Sequence, residues 1–200
     1  MINNAMFWSQ HIRGVFIPDI DALAKCLEER VLPAFSGIAK EADGIEQKEY
    51  ERLARLAGVD DDPAELAEIA QDMALQHYET LNGIRQAMLN LFAAAIYHLF
   101  EQQLLLLHRQ ALLDSATRSD VRLLNVKEVR RRLLEHHIDI SQLPHWPQVR
   151  ELGLAANVVK HAEGVSANTL KDLRPDLFAP SDPVVQALIK DGARLAGPVF

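Results

Sequence analysis

The chain has 200 residues, 48% of them hydrophobic and 24% charged, an ordinary globular balance that can fill a sizeable core. Its net charge of −7, with eight histidines counted neutral, argues against a protein coated in basic surface for duplex DNA, although a local basic patch is compatible with it. A single cysteine, Cys26, excludes an intramolecular disulfide and any cysteine-based zinc cluster.

The opening stretch MINNAMFWSQHIRG has no basic segment followed by an apolar one, so no secretory signal is expected. The longest stretch without a formal charge, Gln86 to Phe100, has 15 residues and contains Gln86, Asn90 and His98. A membrane span needs roughly 18 or more mostly apolar residues. A cytoplasmic protein without a membrane partner is the expectation.

In chain order, PDIDALAKCLEERVLPAFSGIAKEA predicts a helix with Asp19 as its N-cap, because its apolar residues at 20, 23, 24, 27, 31 and 32 follow helical spacing. Cys26, between Ala24 and Leu27, reads as a small buried hydrophobe. Pro33 should kink or end this helix, since it lacks a backbone donor. In GVDDDP, Gly58 closes one helix, and Asp62-Pro63 supplies an N-cap and a first-turn proline for the next. The three aspartates at that helix start favour its macrodipole, a simpler reading than a metal site.

From Ala64 to Leu113 only Asn82-Gly83 is expected to interrupt a helical pattern. The part from Ile84 to Leu113 is apolar on almost every face, which predicts a central helix packed on several sides. After the polar link DSATRSD, Asn125 with Glu128 three residues later predicts a capping box. In LPHWPQVRELGLAANVVKHAEG, Pro147 suits a first turn. Val149, Leu152, Ala155, Ala156 and Val159 form one apolar stripe, and Gly164 suits the C′ position. The tail carries one or two short helices, the second capped by Asp182-Pro183.

No run reads as a strand. The fold class is all-α, a helical bundle with a long central apolar helix. Residues 1–62 form an N-terminal helical extension, 63–164 the core and 165–200 a proline-punctuated tail, and together they are expected to make one compact unit.

Several chemistries lack their motifs. There is no G-x-G-x-x-G, no G-x-x-x-x-G-K, no G-x-S-x-G, no H-E-x-x-H, and no His preceded three residues earlier by an acid. Three other places hold chemistry-bearing side chains. Tyr97, Glu101 and His108 share one side of the apolar helix. A Glu among so many leucines needs a partner, either a cation on a neighbouring helix or water along a polar strip. Arg130, Arg131 and Arg132, ahead of His136-His137, form the one concentrated basic patch. It is either a solvated face or the place where a phosphate backbone docks. His145 and Trp146, between two prolines, read as a structured turn.

A fourth place is ELGLAANVVKHAEG. At about 100° per residue, Asn157 lies roughly 40° from His161 and Arg150 roughly 20° from it, so the three line one polar ridge with Lys160 at its flank. The plain alternative is an exposed last turn, where Lys and His favour the negative helix end.

The Asn157/His161 spacing, together with the long helix bearing Tyr97 and Glu101, resembles the HEPN superfamily over roughly residues 64–164. These are small all-α domains whose signature helix carries an Arg, usually followed by Asn, with a His four to six residues after the Arg. One departure is serious: Ala156 stands where the family's Arg would be. The resemblance implies a metal-independent ribonuclease without cofactor, acting as a homodimer on RNA in a toxin–antitoxin or other defence setting, with an antitoxin or another protein as partner.

It further implies that His161 acts as general base or acid on the RNA's 2′-hydroxyl. Arg150, with Lys160, would stabilise phosphoryl charge, and Asn157 would orient the His or the phosphate. Arg130, Arg131 and Arg132 would line the margin of the cleft, with Tyr97 and Glu101 supporting. With Ala156 in place of the Arg, the other expectation is a catalytically silent module that binds RNA or a protein.

Overall fold

In a computed structural model whose described residues are 5–178, every regular element is a helix and no strand forms among them. The all-α class read from periodicity therefore holds. The helix expected after Asp182 lies outside the described residues. No helix among them is long and apolar enough to cross a membrane.

The chain starts with α1 (Ala5–His11), a π-helical turn (Ile12–Phe16) and α2 (Ile17–Cys26). A second π turn (Leu27–Val31) and a short 3-10 turn (Leu32–Phe35) follow. Asp19 is not an N-cap, because the backbone is already helical before it and Asp19 sits in the first turn of α2. Pro18 and Pro33 each follow a π turn, whose wider hydrogen bonding keeps the chain helical where an α-helix would lose a bond and meet the ring. Cys26 is half-buried.

The described chain divides into two compact units, residues 24–89 and residues 5–23 with 90–178, and both breaks fall inside helices. In the first unit, α3 (Ile38–Leu56) and the first part of α4 (Pro63–Leu107) form a hairpin. Asp62 caps α4 by accepting from the Ala64 N–H at 2.8 Å, and Asp61 accepts from the Gly58 N–H at 2.6 Å. The acids of this turn thus satisfy backbone donors. The buried seam consists of Ile38 and Ala42 against Ala70 and Ala74, with His77 and Glu41 3.6 Å apart beside it.

Asn82-Gly83 does not interrupt α4, which runs through both. A glycine costs a helix only about 1 kcal/mol, and neither flank offers the chain a competing turn.

In the second unit, α4 from residue 90 leads into a π turn (His108–Leu112) and then α5 (Val126–Glu135), α6 (Trp146–His161) and α7 (Val165–Leu173). Asn125 caps α5, accepting from the Glu128 N–H at 2.9 Å. The Glu128 carboxylate does not complete the expected box, because it binds Arg131 and Arg132 instead. Val129, Leu133 and Ile140 form the core, packed by Leu104, Leu105, Leu112 and Trp146. Burying each such side chain is worth about 1.5–3 kcal/mol. The apolar stretch of α4 is less enclosed than its composition predicts: between residues 90 and 107 none is fully buried.

Candidate functional site

Pro147 in its first turn starts α6, which then runs unbroken to His161. Its two most buried positions are Gly153 and Val158, not the five-residue stripe expected from the sequence, whose members are half-buried. The reason is that α6 packs on two sides. Gly153 meets α4: a Cβ there would stand 2.8 Å from Cε2 and Cζ of Tyr97 and 3.0 Å from its Oη. Glu151 and Val158, seven residues apart and so on one face, turn toward α7. There Arg174, just past the helix, donates to Glu151 at 3.1 Å.

The polar ridge lies between these packed faces. Arg150, Asn157, Lys160 and His161 are all exposed. Along the axis, Asn157 and His161 are about 6 Å apart, whereas Arg150 and His161 are about 16 Å apart. Asn157, Lys160 and His161 thus form one local group, and Arg150 stands two to three turns away on the same ridge.

The chain leaves this group through an unusual turn. Ala162 has φ 59° and ψ −52°, and the Glu163 N–H donates to the His161 carbonyl at 2.7 Å, a γ-turn that L-residues rarely adopt. Gly164, at φ 120° and ψ −165°, occupies a conformation open essentially to glycine. It begins α7 and is not the C′ residue of α6. Backbone strain of this kind, adjoining an exposed imidazole, gathers at functional sites more than elsewhere.

Of Tyr97 and Glu101, Tyr97 is the one brought to α6. Glu101 lies one turn after Tyr97 on α4, where its charge acts on the phenol. The Tyr97 hydroxyl reaches α6 at Gly153, three residues after Arg150 and four before Asn157. Burial first, and then the Glu101 charge and hydrogen bond, push the phenol above its ordinary pKa and keep it a donor.

The arginines of α5 are differently occupied. Arg131 donates to Glu128 at 2.6 and 2.9 Å and also to Glu135. Arg132 donates to Glu128 at 2.9 Å. Hydrogen bonds from Arg131 and Arg132 bring the Glu128 carboxyl down to about 2. The Arg130 guanidinium lies over the Trp146 ring, 5.3 Å from its centre. The structured turn expected around Trp146 is therefore the start of α6, and its ring carries a cation. A three-arginine patch thus presents much less net charge than its sequence suggests.

His108 was grouped by sequence with Tyr97 and Glu101. It is instead fully buried beside α5, at the start of the π turn, and neither ring nitrogen has a hydrogen-bond partner among the described residues. Burial foremost, then Arg132, lowers its pKa, with Glu128 acting in the opposite direction and Arg131 adding to the fall. The signal for this placement was LLLLH itself, four leucines directly ahead of the ring. His98 is exposed and shares a 3.0 Å hydrogen bond with Gln102.

Among the described residues no group of three or more His, Cys, Asp or Glu is placed to hold a metal ion. Compared with models of protein families, with curated proteins and with solved structures, the chain matches none.

Proposed function

We propose that the chain is a HEPN-like, metal-independent endoribonuclease whose cleavage site is completed by a second copy of itself. The observation that carries this reading is the unbroken α6 with Arg150, Asn157 and His161 exposed along one ridge. Within one chain, Arg150 and His161 are about 16 Å apart along the axis, too far to hold a single phosphate comfortably. If two α6 helices cross antiparallel about a two-fold axis near Ala155 and Ala156, each Arg150 stands opposite the other copy's His161.

In such a site His161 removes the proton from a ribose 2′-hydroxyl, and the 2′-oxygen attacks the adjacent phosphorus. The bond to the 5′-oxygen breaks, and that oxygen leaves with a proton from solvent. Arg150 and Lys160 stabilise the charge that develops on the phosphoryl oxygens, while Asn157 orients the imidazole. Arg130, which lines a surface cleft together with Lys127, supplies backbone contact at the margin. A toxin or defence role, with an antitoxin-like partner, follows from the resemblance alone.

The second reading is a silent module that binds RNA or a protein. Ala156, in place of the family's Arg, and the internal pairing of Arg131 and Arg132 favour it.

Incubation with single-stranded RNA in EDTA tests both. Cleavage by the native chain, lost in His161→Ala and in Arg150→Ala, supports the first reading. Mixing the two inactive variants should then restore about a quarter of the activity, because half of the dimers are mixed and each holds one complete site. No restoration would place both groups in one chain's site. Binding without cleavage by the native chain would support the second reading.

A further inference from the structure

The net charge is not spread evenly. Residues 24–89 hold fourteen Asp and Glu against seven Lys and Arg, a net −7 that equals the charge of the whole chain. From Leu56 to Ile84 there is no Lys or Arg at all. This acidity borders a groove. Two adjoining clefts of about 520 and 470 Å³ run along the α3–α4 hairpin and share Asp43 and Glu46. Their floor is made of alanines, among them Ala42, Ala70 and Ala74 of the buried seam. Asp43 and Glu46 form the α3 wall, Asp72 belongs to the α4 wall, and no basic residue lines either cleft.

The seam explains why the groove exists. Alanines let two helices approach closely but bury little apolar area, and three of the four residues buried between them are alanine. Larger apolar side chains of the same hairpin stay exposed: Leu75, which lines the second cleft, is 53% exposed, Ile69 42% and Met73 41%. Two helices joined this way form two sides of a bundle whose third side is open. From residue 39 to residue 50 the groove spans about 16 Å, three turns of a helix laid along it.

We infer that this groove docks a basic amphipathic helix of a partner protein, which packs large apolar side chains onto the alanine floor and sets Lys or Arg against Asp43, Glu46 and Asp72. An acidic wall on both sides selects a cationic helix and repels an anionic one or a nucleic acid. The alanine floor selects a helix with Leu, Ile or Met at spacings of three and four, because only large knobs fill a groove between small residues. This surface is separate from the α6 ridge, and it stands whether or not the chain cleaves RNA.

The test uses the full chain and a fluorescent helical peptide of about eighteen residues, with leucines along one stripe and lysines flanking it. A matched peptide carries Glu in place of each Lys. Fluorescence anisotropy should show binding of the Lys peptide alone, weakening steeply with salt. Asp43→Lys with Glu46→Lys should weaken it by about tenfold or more. Ala67→Trp, which fills the floor at an exposed position, should weaken it at unchanged charge. All three substituted residues are exposed, and unchanged helicity by circular dichroism confirms that the variants fold. Equal binding of the Glu peptide, or insensitivity to both variants, would overturn the inference. So would undiminished binding of a Lys peptide whose leucines are replaced by alanine, since the groove would then be a site for cations only.

Discussion

Gly153 and Gly83 lie in the interiors of two helices, and alanine at each should have opposite effects. At Gly83 an added Cβ meets nothing within 4 Å. Gly83→Ala therefore gains only helix propensity and should stabilise by about 0.5–1 kcal/mol. At Gly153 the same methyl would stand 2.8 Å from two ring carbons of Tyr97, roughly an ångström inside normal carbon contact. Tyr97 cannot swing away freely, because its ring is half-buried and sits beside the Phe100 ring, 6.1 Å between centres. Overpacking of this kind costs about 1–3 kcal/mol. Set against the propensity gain, Gly153→Ala should be destabilising by about 0.5–2 kcal/mol, or a few degrees in Tm for a chain of this size. Urea denaturation at neutral pH reads both. A double-mutant cycle with Tyr97→Leu should recover most of the Gly153→Ala loss, since a flexible side chain yields where the ring does not. If Gly153→Ala stabilises the chain as Gly83→Ala does, α4 and α6 do not approach as described, and the placement of Tyr97 between Arg150 and Asn157 falls with it.

His108 makes stability depend on pH. Its folded pKa is below the ordinary 6.5, so the unfolded chain takes the proton more readily. Stability should be level above pH 6.5 and fall as pH drops below it. The urea midpoint of His108→Leu should lose most of that slope between pH 7.5 and 5.5, and an unchanged slope would rule His108 out. Glu128 titrates lower: its carboxyl at about 2 against an ordinary 4.5 means that its contribution is complete above 4.5 and is lost as pH falls toward 2. Glu128→Gln should flatten the acid limb in that window. Asn125→Ala removes the side-chain acceptor for the Glu128 N–H and should cost about 1 kcal/mol, measured by thermal melting. Ala162→Gly relieves a positive φ and should stabilise by about 1 kcal/mol, and a loss instead would mean that the γ-turn after His161 does not form.

Local signals in the sequence carried the element types and several ends. Asp62-Pro63 starts α4, Asn125 starts α5 and Pro147 starts α6, because each acts through its own backbone within one turn. Signals that depend on a neighbour were misread. Asn82-Gly83 resembles a stop only when taken without the flanking helix, and Gly164 resembles a helix end although it opens the next one. Arg130, Arg131 and Arg132 resemble a basic patch only apart from Glu128 and Glu135, three and four residues away, which neutralise two of them. At α6, periodicity showed that Arg150, Asn157 and His161 share a ridge. Gly153 could not be recognised as the contact point, since its importance lies in a tyrosine from another helix.

The amount of apolar surface left uncovered bears on both proposals. Among the described residues eleven hydrophobic side chains are buried and three of these are alanines, whereas twenty large hydrophobics are exposed. A single exposed leucine is normal on any surface, but a chain that leaves this many outside has limited hydrophobic stabilisation of its own. Along the α3–α4 hairpin the buried seam is mostly alanine, whereas around α5 Val129 and Leu133 are enclosed. A partner helix in the acidic groove would add apolar burial to that seam, whereas a two-fold contact at α6 would join surfaces already anchored to α4 and α7. The groove partner should therefore raise the melting temperature of the chain, and self-association through α6 should act mainly on cleavage.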